Sequence, residues 1–211
     1  MATPRTTTRR RSPDRARDRE QRREQLLDAA DRVIRRRGPD ASMDEIASEA
    51  GITKPILYRH FGNKEGLHEA LAERYVEALM GELRATDSIK EPRAHLSARI
   101  DAYLSFVESE PEQYRFLLGA AEEPGTSALV AEFRRRLAAE CAIATAESLR
   151  RAGLDPEVAE SWAHGMVGMV RSAGIWWLDT RSLPRAVLVE SLTSLLWDGV
   201  SRLGDGAVSQ P

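Results

Sequence analysis

The chain has 211 residues, a formal net charge of −2 and a single cysteine, Cys141. That length accommodates one large domain or two small ones, and one cysteine excludes an internal disulfide framework. No apolar run reaches the ~18 residues of a membrane span, and the N-terminal MATPRTTTRRRSPDRARDRE lacks the apolar stretch of a secretory signal.

The small net charge hides an asymmetry. Residues 1–64 hold 16 Lys+Arg and 10 Asp+Glu, net +6, and residues 65–211 hold 15 and 23, net −8. A basic end on an acidic body orients a molecule on a polyanion. Residues 1–16 are rich in Thr, Arg and Pro and poor in apolar side chains, so they read as a disordered basic arm. Arg9, Arg10 and Arg11 suit a minor groove or phosphates, or a solubilising tail. A helix is expected over residues 17–37, with Leu26, Leu27, Ala30 and Ile34 on one stripe and Gly38-Pro39 as its stop.

The segment SMDEIASEAGITKPILYRHFGNK, residues 42–64, carries the most information. Ser42 followed by Glu45 fits a capping box, so a helix starts at Met43, with Ile46, Ala47 and Ala50 as its apolar face. Gly51 supplies the left-handed residue that ends it, Ile52 turns into the core, and Thr53 caps the next helix. Pro55 is tolerated because it falls in that helix's first turn. Leu57 and Phe61, four apart, pack inward, while Lys54, Pro55, Tyr58 and Arg59 point outward. Pro55 and the Tyr58 ring suit a thymine methyl, and the Tyr58 hydroxyl, His60 and Lys64 suit phosphate oxygens. The layout is a helix-turn-helix whose second helix enters the major groove.

This stretch resembles the TetR family of bacterial transcriptional regulators. The resemblance rests on Gly51, Ile52, Thr53, Lys54, Pro55, Leu57, Tyr58, His60, Phe61, Asn63, Lys64 and Leu67, and the motif LYRHFGNKEGL lies at its centre. It covers residues 20–80. It implies that Lys54, Pro55 and Tyr58 face bases and that Tyr58, His60 and Lys64 hold phosphates. Ser42 and Thr53, at the starts of the two motif helices, join the expected phosphate set. Some members carry a base-reading Arg where this chain has Asp44. A carboxylate there is better placed as a helix-dipole partner than as a DNA contact, so no operator sequence carries over.

Further along, a long helix over residues 64–85 links the DNA-binding part to the body. Glu91-Pro92 opens another, with Leu96, Ile100, Tyr103, Leu104 and Val107 at helical spacing. A short helix covers residues 111–118, and longer ones cover 127–151, 156–178 and 184–203, with a loop at residues 122–125. The run HGMVGMVRSAGIWWL, residues 164–178, is apolar on nearly every side and is expected to be buried all round. With Leu188, Leu192, Leu195, Leu196 and Val200 of the last helix it is expected to meet a second copy. Gly165, Gly168 and Gly174 would permit close helix approach. In the resembled family the last two helices pair across a two-fold axis into a four-helix bundle, and such a dimer suits palindromic DNA.

The resemblance also implies a cavity for a hydrophobic small-molecule effector. Aromatic and Met side chains suit an adaptable apolar site. The candidates are Tyr103, Phe106, Val107, Tyr114, Phe116, Phe133, Trp162, Met166, Met169, Val170 and Trp177. Arg171, a charge within the apolar run, either pairs with an acidic residue across the bundle or meets a ligand carboxylate or phosphate. YRFLL at Tyr114 and the GMVGM…WWLD run are similar to actinobacterial TetR-like regulators of lipid metabolism, which implies a fatty acid or acyl thioester.

Catalysis lacks its parts. His68-Glu69 opens a zinc-protease signature, but position 72 is Ala. His60, His68, His95 and His164 show no ligand pairing, and Cys141 lacks an evident base. Neither a metal nor a cofactor is expected. The expected fold is all-α, with a three-helix, homeodomain-like helix-turn-helix domain at residues 17–64 and a larger effector-binding and dimerisation domain at 65–211. The expected protein is a cytoplasmic, nucleoid-associated, homodimeric regulator, a repressor released from a palindromic operator by its effector. The rival is a ligand-independent architectural DNA-binding dimer whose body binds protein.

Overall fold

The computed structural model of the chain describes residues 13–122, 126–151 and 153–206. Among these it contains helices and turns but no strand. Helix α1 (Pro13–Arg37) starts four residues before the expected position and buries Leu26, Leu27, Ala30, Val33 and Ile34. The expected arm residues Arg9, Arg10 and Arg11 lie outside the described residues. A 3-10 turn (Gly38–Asp40) leads to α2 (Met43–Glu49). The Ser42 hydroxyl accepts from the Glu45 N–H at 3.2 Å, and the Glu45 carboxylate accepts from the Ser42 N–H at 2.9 Å. This reciprocal cap satisfies two backbone donors at the helix start.

Gly51 (φ +65°) and Gly62 (φ +83°) follow α2 and α3 (Lys54–Phe61) in the left-handed region that side-chain-bearing residues rarely adopt. The Ile52 N–H returns to the Ala47 carbonyl at 3.0 Å and fixes the turn. Leu57 and Phe61 are buried in the shared core, with α3 packed on α2 and α4.

Helix α4 (Lys64–Arg84) begins on Asn63, whose side chain accepts from the Gly66 N–H at 2.8 Å. A Cβ at Gly66 would run into the Phe61 carbonyl, so the α3–α4 corner closes only over glycine. Leu67 and Leu71 of α4 are fully buried on the DNA-binding side, as are Leu79 and Leu83 on the body side.

The body comprises α5 (Pro92–Ser109), α6 (Pro111–Ala120), α7 (Ser127–Arg151), α8 (Ala159–Thr180) and α9 (Arg185–Gly206). Pro92 and Pro111 each sit in the first turn of their helix, where the missing N–H is harmless. The expected helix at residues 156–178 opens instead as a 3-10 turn (Pro156–Val158) before α8. Helices α7 and α8 form the most extensive pair, and α5 packs on α4, α6, α8 and α9. Helix α6 wedges between this body and α1.

Two expectations for the last helices are corrected. Helix α8 is not buried all round in the single chain: Gly165, Gly168, Met169 and Trp176 are exposed on one face. Leu188, Leu192 and Leu196 do not project outward but are buried against the chain's own core, α9 being packed on α5; Leu195 is exposed, and the side chain of Val200 lies outside the described residues. A stripe wider than one face serves two surfaces. Gly174 is likewise internal, lying beneath Tyr103. Among the described residues no helix is long and apolar enough to cross a membrane.

Candidate nucleic-acid interface and effector cavity

The outer face of α3 presents Pro55 and Arg59 as exposed, and Lys54, Tyr58 and His60 as half-buried. Tyr58 rests its ring partly on the core. Lys64 is exposed at the start of α4. The expected contacts therefore lie along one short helix and the corner that follows it. Two carry prior commitments. The Lys54 ammonium donates to Asp44 at 3.1 Å, which also raises its pKa. The Ser42 hydroxyl is taken up by the capping box and donates to Glu45 at 2.9 Å. Thr53, by contrast, makes no capping bond with its side chain.

Sequence reading missed the part played by α1. Its C-terminal arginines are neutralised: Arg32 and Arg36 both bond Glu49 at 2.7 Å, Arg37 pairs with Glu45, and Arg35 bridges Asp31 and Glu110. Nearer its N-terminus, Arg19 and Arg22 have no carboxylate partner among the described residues, nor do Arg59 and Lys64. Burial first, then the charges of Arg59, Arg22 and Arg19, hold the His60 pKa below its ordinary value. Those arginines thus face His60 and form one basic surface with α3. The local signal was the run RDREQRR at residues 17–23. Which arginines would be neutralised depended on Glu45 and Glu49, which arrive from α2.

Between α4 and α9 the body forms a cavity of about 810 Å³, partly open to solvent and within the range of small-molecule sites. Tyr103, Tyr114, Phe133, Met166, Val170 and Arg171 line it. Phe106, Val107, Phe116 and Trp177 do not; each is a buried core residue. Phe116 packs edge-on to His68 and Tyr75 at the α4–α6 contact. The Trp177 indole N–H donates to the Leu183 carbonyl at 2.8 Å, under the Arg181 guanidinium. Trp162 is half-buried away from the cavity, and Met169 is exposed. Reading also missed the α4 residues Val76, Leu79 and Leu83, and Cys141, which line the cavity too. Burial raises the Cys141 thiol pKa, so the thiolate is disfavoured. Arg171 makes neither ion pair nor hydrogen bond among the described residues, so the bundle-pairing alternative for it is not realised there.

One polar joint connects the two ends. The half-buried Asp31 of α1 accepts from the Tyr75 hydroxyl of α4 at 2.9 Å, from the Gln113 amide of α6 at 2.6 Å and from Arg35. Gln113 is the neighbour of Tyr114, which lines the cavity.

Comparison with known proteins fits this architecture. Residues 26–71 match the model described as bacterial regulatory proteins, tetR family, and residues 82–210 match the tetracyclin repressor-like C-terminal domain. An uncharacterised HTH-type transcriptional regulator of Mycobacterium tuberculosis is 32% identical over 190 residues, 85% of this chain and 77% of that protein. The HTH-type transcriptional activator FasR of Mycolicibacterium smegmatis is 34% identical over 192 residues, 88% of this chain and 85% of its own. A tetR-family regulator from Streptomyces coelicolor superposes with a TM-score of 0.68 at 27% identity, over 89% of this chain and 83% of that one. AibR, solved with isovaleryl coenzyme A and operator DNA, superposes at 0.63 and 20% identity over 82% and 97%. With both halves matched in order and a fold to correspond, the chain belongs to the TetR family of bacterial transcriptional regulators.

Proposed function

We propose that this regulator is a homodimeric repressor of the cytoplasm that is released from a palindromic operator by a hydrophobic small molecule, a fatty acid or its acyl-CoA. The observation that carries this reading is that one helix serves both sites. Helix α4 has Lys64 at the basic corner and Val76, Leu79 and Leu83 in the cavity wall. Those positions span about 28 Å of helix at 1.5 Å per residue. A ligand that fits the cavity better with α4 displaced draws the recognition helices out of register with successive major grooves. The elongated lining also supports a chain-like effector. Its α7 residues run from Val130 to Arg151, about 31 Å of helix.

In this reading Lys54, Pro55 and Tyr58 read bases, and Thr53, Tyr58, His60 and Lys64 hold phosphates. Arg19 and Arg22 add to that positive surface. The test is a gel shift with DNA upstream of the protein's own gene, repeated with fatty acids and acyl-CoAs. The expected result is a sequence-specific complex dissolved by one of these classes. Salt-sensitive binding to any DNA, indifferent to every ligand, would favour the architectural dimer. Tyr58→Ala and Lys64→Ala should each weaken the specific complex about tenfold. Lys64→Ala should leave the melting curve unchanged, and Tyr58→Ala, whose ring rests partly on the core, should lower it without unfolding the chain. Wild-type affinity in both would remove these residues from the interface.

His60 gives a pH signature. A phosphate at the imidazole raises its pKa in the complex, whereas burial and then the charges of Arg59, Arg22 and Arg19 lower it in the free protein. Operator affinity should therefore rise as the pH falls through the ordinary imidazole range, about 6.5. His60→Gln should flatten that rise; a profile unchanged by the substitution would place His60 off the DNA.

The relative FasR is named an activator, which favours a second reading in which the same DNA complex raises transcription. A reporter under the operator decides the sign: deleting the regulator raises its output for a repressor and lowers it for an activator.

A further inference from the structure

The body is acidic overall, yet its cavity is not. Residues 65–211 carry 15 Lys+Arg against 23 Asp+Glu. Among the charged groups lining the cavity, Arg99 is paired with Glu140 at 2.9 Å and Arg151 with Glu147 at 3.1 Å. That accounts for both lining carboxylates. Lys90, Arg134 and Arg171 remain, with no ion pair among the described residues. Lys90 is exposed, but Arg134 and Arg171 are half-buried, and unpaired cations so placed beside apolar walls favour an anion, because such a charge is costly until it finds a counter-ion.

The details at Arg171 narrow the chemistry. Its charge acts on the hydroxyls of Tyr103 and Tyr114, which line the same cavity and hydrogen-bond to each other. Burial raises the pKa of both phenols, so both keep their protons. Two hydroxyls sharing one hydrogen bond use one of two donors. The other O–H has no acceptor among the described residues, and both side chains are more than nine-tenths buried. A buried donor without an acceptor is destabilising. An incoming oxygen anion relieves it.

Gly174 makes the arrangement possible. It lies three residues beyond Arg171, on the same stripe of α8. A Cβ there would stand 2.9 Å from Tyr103 Cε1 and 3.2 Å from its Oη. Glycine lets the phenol settle against α8 and brings its hydroxyl to the side of the helix that carries the guanidinium.

We infer that Arg171, Tyr103 and Tyr114 form a carboxylate-anchoring subsite, so the effector is a hydrocarbon chain that ends in a free acid. The inference rests on the effector-binding reading above and names the head group it selects. The guanidinium fork and the spare phenol proton hold the carboxylate, and Leu117, Phe133, Met166 and Val170 receive the chain.

Calorimetry on the full chain without DNA tests this directly, with straight-chain acids of graded length, the matching primary alcohols and the matching CoA thioesters. Acids should bind about tenfold or more tighter than alcohols of equal length, the ratio expected from a charge-assisted hydrogen bond. Arg171→Gln should abolish that preference and leave alcohol affinity unchanged. Arg171→Lys should restore part of it, and Tyr114→Phe, which keeps the ring, should lose part. Equal affinity for acid and alcohol, no binding by any acid, or a preference that survives Arg171→Gln each overturns the subsite. Tight binding of the thioester alone, unaffected by Arg171→Gln, also overturns it and moves the anion to the CoA phosphates. Because no DNA is present, these outcomes are independent of operator release. A regulator released by a neutral ligand would lose this subsite and keep its function.

Discussion

Leu195→Glu is expected to split the proposed dimer and abolish operator binding while leaving each chain folded. Leu195 is 60% exposed on α9, and Trp176 is 49% and Met169 40% exposed on α8. Large apolar side chains left exposed on the last two helices, both packed on α5, are what a two-fold contact covers. Burying one Leu stabilises by about 1.5–3 kcal/mol, and the symmetry counts it twice. Replacing it with a carboxylate removes that term and adds two desolvated charges facing each other. Dimerisation should weaken by more than about a hundredfold, and a single half-site cannot sustain the complex. Sedimentation velocity and a gel shift on the same sample provide the readout. Leu192→Ala is the contrasting case: Leu192 is buried in the chain's own core. It should cost about 2–5 kcal/mol of stability through a cavity. A Leu195→Glu protein that remains dimeric with full affinity would place the interface elsewhere.

The contrast between Leu192 and Leu195 shows where sequence reading stops. Signals that act within a few residues were legible. Ser42 with Glu45 set the start of α2, Gly51 its end, and Pro92 and Pro111 the starts of α5 and α6. The outward face of α3 followed from the four-residue spacing of Leu57 and Phe61. Residue type alone could not tell a cavity wall from a core. Tyr114 and Phe116 lie two apart on α6 and therefore on different faces; one lines the cavity, the other packs on His68 and Tyr75. Trp176 and Trp177 are neighbours, yet one is 49% exposed and the other 1%. Those assignments depend on which helix arrives opposite, and that is settled by packing between distant segments.

The same limit hid Asp31, which lies on a helix of ordinary charge pattern and gains its importance from Tyr75 and Gln113, 44 and 82 residues away. Asp31→Ala is expected to lower stability by about 2–4 kcal/mol, because the buried Tyr75 hydroxyl and the buried Gln113 amide both lose their acceptor. Arg35 keeps Glu110 and contributes less to the loss. The wild-type carboxyl also predicts an acid sensitivity. Burial pushes its pKa up, but bonds from Arg35, Gln113 and Tyr75 together hold it below the ordinary 3.8. The folded pKa lies below the unfolded one, so this stabilisation is complete above about pH 4 and is lost as the pH falls through the depressed value. Thermal melts of the wild type should therefore fall more steeply below that pH than melts of Asp31→Asn, which keeps one acceptor oxygen without the charge. The joint also lies between cavity and DNA, with Gln113 beside Tyr114 on α6 and Asp31 within α1. Asp31→Asn should bind effector as the wild type does but yield less of that binding energy as operator release, a smaller coupling between the two sites. Wild-type melting and wild-type release in both variants would reduce the Asp31 contacts to incidental surface bonds.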